Sequence, residues 1–403
     1  MCGLCLPHCP TYKISQDENE SPRGRISLIQ AMARDQLKCD DNVKTHLDNC
    51  LQCLNCQKVC PSQVNYSEII HQGQQYTFKN SQKIVSLGTL TLGNRLIDYL
   101  LTNGIFKQIY FKLFNSMSKI GLLKPCIKLA KGLSIRSAYY LPEVPFHSNK
   151  SLLKNQSQVI ETEIHQRINL FAGCGNSLFE PQLLKKLIPL LNKMGIYINE
   201  INSDSCCGAI FQRNGDSRAL EKITDLNQKQ YKHSAFPLLS LTSTCTAQLQ
   251  KNIAHSYDIC TYLGDTEYAR FQSLQFKPLR EKVILHAACS LRNQLFEQDF
   301  PEKLLSHIPH ITLLKLLSNG CCGAAGNYML EHPKMADKIV QPYLDSIIES
   351  GAKILLTTNI GCGLHIRAQL EKLNYNIEVK HPISLLSEQL NLENAVDFVA
   401  RST

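Results

Sequence analysis

Residues 50–61 read CLQCLNCQKVCP. Cys50, Cys53, Cys56 and Cys60, with Pro61 behind them, spell C-x2-C-x2-C-x3-C-P, the four-thiolate run that wraps a cubane iron–sulfur cluster. Cys2, Cys5, Cys9 and Pro10 repeat its last three ligand positions. Two further sets are gathered from long range: Cys174, Cys206, Cys207 and Cys245, then Cys289, Cys321, Cys322 and Cys362. In each, 31 residues separate the first cysteine from the vicinal pair. Fifteen of the 18 cysteines thus fall into a lattice. Soft thiolates in such numbers select iron–sulfur clusters or zinc, which makes electron transfer the first expectation.

A chain of 403 residues suggests two to four domains, and 43% apolar residues suffice for ordinary globular cores. The cluster motif follows Met1 at once, so no signal peptide is expected, and no apolar run reaches the roughly 18 residues of a membrane-spanning helix. In a cytosolic setting the thiols stay reduced and argue for metal rather than disulfides. Charge is unevenly placed. Residues 76–136 hold ten Lys or Arg against one acid, Asp98, which accounts for the whole net charge of +9. Such a block fits a docking face for a partner or an anionic membrane surface, or else a solvated connector.

Four regions are expected. Residues 1–75 form a small unit around the two cysteine runs, in which Ser21-Pro22 starts a helix over RGRISLIQAMARDQL. Residues 76–166 form a basic amphipathic helical connector, broken near Gly104, Gly121 and Pro125, and then a linker. From 167 strand and helix alternate, and the order repeats after about 115 residues: repeat 1 spans 167–275 and repeat 2 spans 280–395. The fold class is accordingly α+β and α/β: a small all-helical two-cluster ferredoxin-like domain, a helical connector, then two duplicated α/β cysteine-rich lobes. Alternating strands and helices imply parallel sheets whose carboxyl-end loops converge on a crevice, so each lobe is expected to present its four thiols together.

In two-cluster ferredoxins the fourth cysteine of each run ligates the other cluster. Cys50, Cys53 and Cys56 would then share one [4Fe-4S] cluster with Cys9, and Cys2 and Cys5 the other with Cys60. The second set lacks a thiolate three positions before Cys2. A start codon farther upstream is the favoured explanation, with a fragment or a three-cysteine site holding a labile iron as the others. The two C…CC…C sets stand open between a further cluster, zinc and an unfilled relic. His286 and His365, three residues from Cys289 and Cys362, are candidates to ligate or to hydrogen-bond sulfur, with plain packing as the default. Cys39, Cys126 and Cys260 fit no set and are expected to be ordinary buried thiols. The sequence holds no GxGxxG after a strand, no P-loop and no Ser/His/Asp set, so substrate chemistry is expected on a partner.

Together, CGLCLPHCPTY, ESPRGRI, CLQCLNCQKVCPS, CCGAAGNY, TTNIGCGLHI and HPISLL resemble the iron–sulfur subunit of glycolate oxidase (glycolate dehydrogenase), over residues 1 to about 387. The wider group takes in the iron–sulfur subunits of lactate utilisation and anaerobic glycerol-3-phosphate dehydrogenase, and the cysteine-rich subunit of heterodisulfide reductase. The resemblance implies an electron-transfer subunit, inactive alone, of a 2-hydroxy-acid oxidoreductase. It would take electrons from an FAD-containing subunit that oxidises glycolate to glyoxylate and pass them to a quinone or another respiratory acceptor. Two [4Fe-4S] clusters and a cytoplasmic placement are implied, with residues 76–136 as the candidate contact to the inner face of the membrane. Gln248 and His365 stand where heterodisulfide reductase completes a C-x2-C, which argues against disulfide reduction. A lactate dehydrogenase or lactate utilisation subunit is the alternative, a heterodisulfide-reductase-like thiol–disulfide reductase a weaker one, and a zinc-stabilised scaffold the reading without redox chemistry. No nucleic-acid readout module is present.

Overall fold

The computed structural model describes residues 2–81, 116–117, 120–132, 139–140, 164–202, 206–316 and 320–391. Most of the basic connector and its linker, with the break expected at Gly104, lies outside the described residues. The N-terminal unit is helical: α1 (Pro10–Ser15), α2 (Pro22–Ala33), α3 (Asp41–Asp48), α4 (Asn55–Lys58) and α5 (Tyr66–Ser81). α2 starts where the sequence puts it. Ser21 Oγ accepts the Gly24 N–H, and Pro22 fills the first turn, where a missing N–H costs nothing. Asp40 caps α3 in the same way through Val43 N–H, and each such cap contributes about 1 kcal/mol. Met32, Val43, Leu47 and Ile70 close the small core between these helices. Gly24 is required by space, since a Cβ there would lie 1.9 Å from the Glu18 carbonyl oxygen. In the connector, Pro125 does not break a helix but stands in the first turn of α6 (Leu123–Gly132), where backbone N–H groups have no helical acceptor anyway.

The rest forms two lobes, each built on a four-stranded, wholly parallel sheet. β1 (Gln166–Phe171), β2 (Ile196–Asn202), β3 (Leu238–Ser240) and β4 (Ser256–Asp258) stand in the order β2-β1-β3-β4. β5 (Lys282–His286), β6 (Thr312–Lys315), β7 (Ile354–Thr357) and β8 (Glu378–Lys380) repeat it as β6-β5-β7-β8. Leu170 is in register with Leu239 in the first sheet, and Ile284 with Leu355 in the second. Strands this apolar belong in sheets covered on both faces. The duplication seen in sequence is therefore a duplication of topology.

The covering helices also join the lobes. Repeat 1 carries α7 (Gly173–Phe179), α8 (Pro181–Lys193), α9 (Ala209–Asn214), α10 (Ser217–Tyr231), α11 (Ser243–Leu249) and α12 (Ile259–Gly264). Repeat 2 carries α13 (Phe300–Leu305), α14 (Pro333–Ser350), α15 (Ile360–Lys372) and α16 (Pro382–Gln389). α8 packs on α16, and α12 on α13. α8 and α13 follow the first strands of their lobes, while α12 and α16 follow the last, so exchanging the lobes exchanges the two contacts. That is the logic of an isologous dimer inside one chain. Leu183, Leu187 and Leu190 of α8 share one apolar cluster with Ile383 and Leu386 of α16.

Asp258 is fully buried where β4 meets α12, and its Oδ1 accepts the Cys260 N–H at 2.9 Å. Burial first, then the facing Glu297, push its carboxyl from 3.8 up to about 7. A carboxyl raised on folding contributes stability that is complete below its unfolded value and is lost as pH climbs through its folded one. Asp258→Asn keeps an oxygen for the cap and removes the buried charge. Urea unfolding at about pH 5 and about pH 8 should show the variant gaining more stability at the higher pH.

Candidate metal centre

The loop from Cys50 to Cys56 turns inward through two non-glycine residues in left-handed conformation, Gln52 (φ 50°) and Leu54 (φ 58°). Strained backbone of this kind persists where the surroundings over-determine it, commonly at functional sites. The turn lets Gln52 N–H donate to Cys50 Sγ at 3.4 Å, and Tyr66 Oη lies 3.5 Å from the same sulfur. Cys9, from the first run, joins Cys50, Cys53 and Cys56 around one cavity, and all four are buried. The thiols ring a volume rather than a point: among the described residues no three His, Cys, Asp or Glu side chains converge on a single ion position. A cubane, which takes one thiolate at each iron corner, asks for that spread.

The wall of this cavity carries a buried cation. Arg25 is 1% exposed, with Nη1 3.9 Å from Cys9 Sγ and bonded to Thr11 Oγ1 at 3.2 Å and to the Glu20 carbonyl oxygen at 2.6 Å. Its Nε donates to the His46 carbonyl oxygen at 2.7 Å, and its Nη2 pairs with Glu20 Oε2 at 2.6 Å. Burial alone would lower the guanidinium's pKa, but Cys50, Tyr66, Cys9 and Glu20 facing it outweigh that and raise it. Burial pushes the Cys56 and Cys50 thiols up, while Arg25 pulls Cys50 back. A cation and an N–H aimed at sulfur are what an anionic thiolate cluster requires, so the donor set fits the group its motif implies. Of the other run members, Cys2 is exposed, and Cys5 and Cys60 are half-buried.

In both lobes the long-range cysteines meet at the carboxyl ends of the strands. Cys174 follows β1, Cys206 and Cys207 follow β2, and Cys245 follows β3; Cys289, Cys321/Cys322 and Cys362 follow β5, β6 and β7. Cys206 contacts Cys174 and Cys207, and Cys207 contacts Cys245. Cys321 contacts Cys289 and Cys322, and the Cys322 thiol donates to Cys362 Sγ at 2.8 Å. Gly208 (φ 91°) and Gly323 (φ 77°), each directly behind its vicinal pair, hold the turns that no side chain adopts easily. Their N–H groups point back at Cys206 and Cys321 Sγ, at 3.4 and 3.5 Å.

The two tetrads are not equivalent. Cys53 of the N-terminal run lies within hydrogen-bond reach of Cys321; that contact, with burial, pushes the Cys53 thiol well up, whereas Cys321 is raised by Cys289, Cys322 and burial against the pull of Cys53. Asn293 Nδ2 of repeat 2 clasps the same loop, donating to the Cys53 carbonyl oxygen and to Asn55 Oδ1 at 2.7 Å each. Toward repeat 1 the N-terminal unit makes polar contacts, such as Arg213 Nη2 to the Asp48 carbonyl oxygen at 3.2 Å and His71 Nδ1 at 3.0 Å from the Gln212 carbonyl oxygen.

Both histidines beside the lattice are packed residues. His286 is buried, its Nδ1 is 3.0 Å from Thr357 Oγ1, and burial lowers it to about 3. His365 Nδ1 faces the Cys322 carbonyl oxygen at 2.8 Å rather than a sulfur. Among the cysteines outside the sets, Cys260 is buried as expected, Cys39 is half-buried, and Cys126 is exposed. Arg25, Glu20, Asn293 and Arg213 escaped the sequence reading. ESPRGRI marked a helix start, and nothing in its spacing said that the second arginine points inward.

Residues 1–64 match a 4Fe-4S dicluster domain, and residues 168–250 and 283–367 each match a cysteine-rich domain. The glycolate oxidase iron–sulfur subunit of Escherichia coli (strain K12) is 25% identical over 97% of this chain and 93% of its own length. The probable glycolate oxidase iron–sulfur subunit of Bacillus subtilis (strain 168) is 24% identical over 96% of this chain and 92% of its own length. Lactate utilization protein A 2 of Bacillus cereus (strain 03BB102) is 23% identical over 56% of this chain and 99% of its own length. With its thiol cavity and paired thiol-bearing lobes, the chain joins a 4Fe-4S dicluster domain to two cysteine-rich domains and is a homologue of the glycolate oxidase iron–sulfur subunits over nearly its full length.

Proposed function

We propose that this chain is the electron-transfer subunit of a glycolate-oxidising complex, carrying electrons from an FAD-containing dehydrogenase subunit to a quinone or another respiratory acceptor. The observation that carries the reading is the buried cavity ringed by Cys9, Cys50, Cys53 and Cys56. These four would hold one [4Fe-4S] cluster, and Cys2, Cys5 and Cys60 would contribute to a second. When bound, such a group accepts electrons singly and so divides the pair that a reduced flavin delivers. The protein's own part is to keep water from the sulfurs, to direct Gln52 N–H at Cys50, and to set the Arg25 charge beside Cys9. The tetrads Cys174/Cys206/Cys207/Cys245 and Cys289/Cys321/Cys322/Cys362 are proposed as further thiolate sites for a cluster. Glycolate is favoured over lactate as the complex's substrate because the likeness to the glycolate oxidase subunits runs the length of the chain, whereas the lactate utilisation relative spans 56% of it. Among the described residues no helix is long and apolar enough to cross a membrane, so contact with the inner face of one would fall to the basic segment 76–136.

The test is metal and sulfide analysis of the anaerobically purified chain, with an electron paramagnetic resonance spectrum after dithionite. About four to eight irons with matching sulfide and a reducible cluster signal are expected. Zinc without sulfide would leave only the scaffold reading. The same preparation should show no glycolate-dependent dye reduction until the flavin subunit is added. Turnover by the isolated chain would overturn the division of labour.

A further inference from the structure

α6 carries apolar residues on two faces, and the fold buries one of them. Leu123 and Ile127, four residues apart, are 5% and 4% exposed. Lys131, four residues further along the same stripe, pairs with Glu371 Oε1 of α15 at 2.6 Å. Just beyond the helix, Tyr140 joins the apolar cluster of repeat 2. Residues four apart share a helix face, so this stripe fastens α6 to repeat 2.

A second stripe faces solvent. Leu122, Pro125, Cys126 and Leu129 recur at i, i+3, i+4 and i+7, and all four are exposed. Leu122 is 52% and Leu129 66% exposed, as is Ile120 at 66% immediately before the helix. Scattered surface leucines need no explanation, but a run of them along two helical turns marks a surface that is covered in use. Lys124 and Lys128, both exposed, line the remaining side of the helix.

The charge indicates what covers it. Ten Lys or Arg stand against Asp98 alone in residues 76–136. An apolar stripe flanked by lysines, in so one-sided a field, suits an anionic bilayer: the leucines enter below the headgroups while the lysine stems reach up to the phosphates. No helix among the described residues is long and apolar enough to cross, so a contact through α6 lies in the plane of the surface.

We propose that α6 is an in-plane membrane anchor: Leu122, Cys126 and Leu129 enter the headgroup layer of an anionic phospholipid surface, Lys124 and Lys128 meet its phosphates, and the Lys131–Glu371 pair makes repeat 2 the lobe tied to the lipid. The inference rests on the electron-carrier reading above for its purpose, and narrows the contact from the basic segment to one helix face.

The chain has no tryptophan, so Leu129→Trp places a single emission reporter on the stripe of the full, cluster-loaded protein, at a position where folding is not at stake. Leu226→Trp, on a 53% exposed position of α10 in repeat 1, is the control. The probes are vesicles of equal parts phosphatidylglycerol and phosphatidylcholine, and vesicles of phosphatidylcholine alone. Flotation with the anionic vesicles is expected, with emission moving to shorter wavelength in Leu129→Trp and not in Leu226→Trp. Lys124→Gln and Lys128→Gln together should weaken that binding tenfold or more, at about fivefold for each lysine. No flotation, flotation without the Leu129→Trp shift, or an equal shift in both reporters overturns the anchor. So does a Leu129→Trp emission already at short wavelength in buffer, where another part of the chain covers the stripe, or one that shifts on adding the flavin subunit without vesicles, where a protein does. Iron, sulfide and the reduced-state spectrum of the same preparation test the electron-carrier reading separately.

Discussion

Cys56→Ala is expected to remove about four irons and four sulfides per chain, together with one reduced-state resonance signal. Cys56 is buried on the wall of the N-terminal cavity among Cys9, Cys50 and Cys53, and α4 holds it rigidly in that place. No other thiol can move in without dismantling the loop, whose left-handed Gln52 and Leu54 leave the backbone little slack. Cys50→Ala should do the same, with the added loss of the sulfur that receives Gln52 N–H. Cys260→Ala is the control. It deletes an equally buried thiol from the core between the lobes, near Asp258, and should leave iron and spectrum untouched. Iron and sulfide analysis of the three variants under one anaerobic protocol decides the matter. Full iron in Cys56→Ala would mean that the four cavity cysteines are not the ligand set.

Much of this architecture was legible because it is written in local spacing. The vicinal pairs Cys206/Cys207 and Cys321/Cys322, each separated by 31 residues from a cysteine that ends an apolar run, gave the duplicated lobes and the meeting of four thiols at strand ends. Ser21-Pro22 gave the start of α2 for the same reason: a cap is a contact between residues three apart. What the sequence hid is long-range. No periodicity tells that Cys53 touches Cys321, that Asn293 grips the cluster loop, or that α8 crosses to α16, because each joins elements far apart in the chain. Exposure was hidden as well. Cys126 looked like a core thiol by residue type, yet it is exposed on α6. Arg25 is the opposite case, a charged residue that hydropathy puts outside and the fold puts at the centre of the metal-binding unit.

Arg25→Met should cost the N-terminal unit about 3–5 kcal/mol, because it strands a buried carboxylate. Glu20 is 4% exposed, and without the guanidinium its charge is met, among the described residues, by His46 Nδ1 at 2.7 Å and Asn49 Nδ2 at 2.9 Å. Combining Glu20→Gln with Arg25→Met should recover part of the loss, since neither charge is then left alone in the core. Urea titration, followed by the bleaching of cluster absorbance, measures this. A second readout separates structure from electronics. The cation beside Cys9 favours the more negative, reduced form of an anionic cluster, so its removal should shift the reduction potential downward. Arg25→Lys keeps the charge but not the fork that reaches Thr11, Glu20 and the His46 carbonyl oxygen at once. It should therefore lose stability while holding the potential near that of the parent. If Arg25→Met weakens the fold yet leaves the potential where it was, the arginine braces the loops and does not tune the cluster.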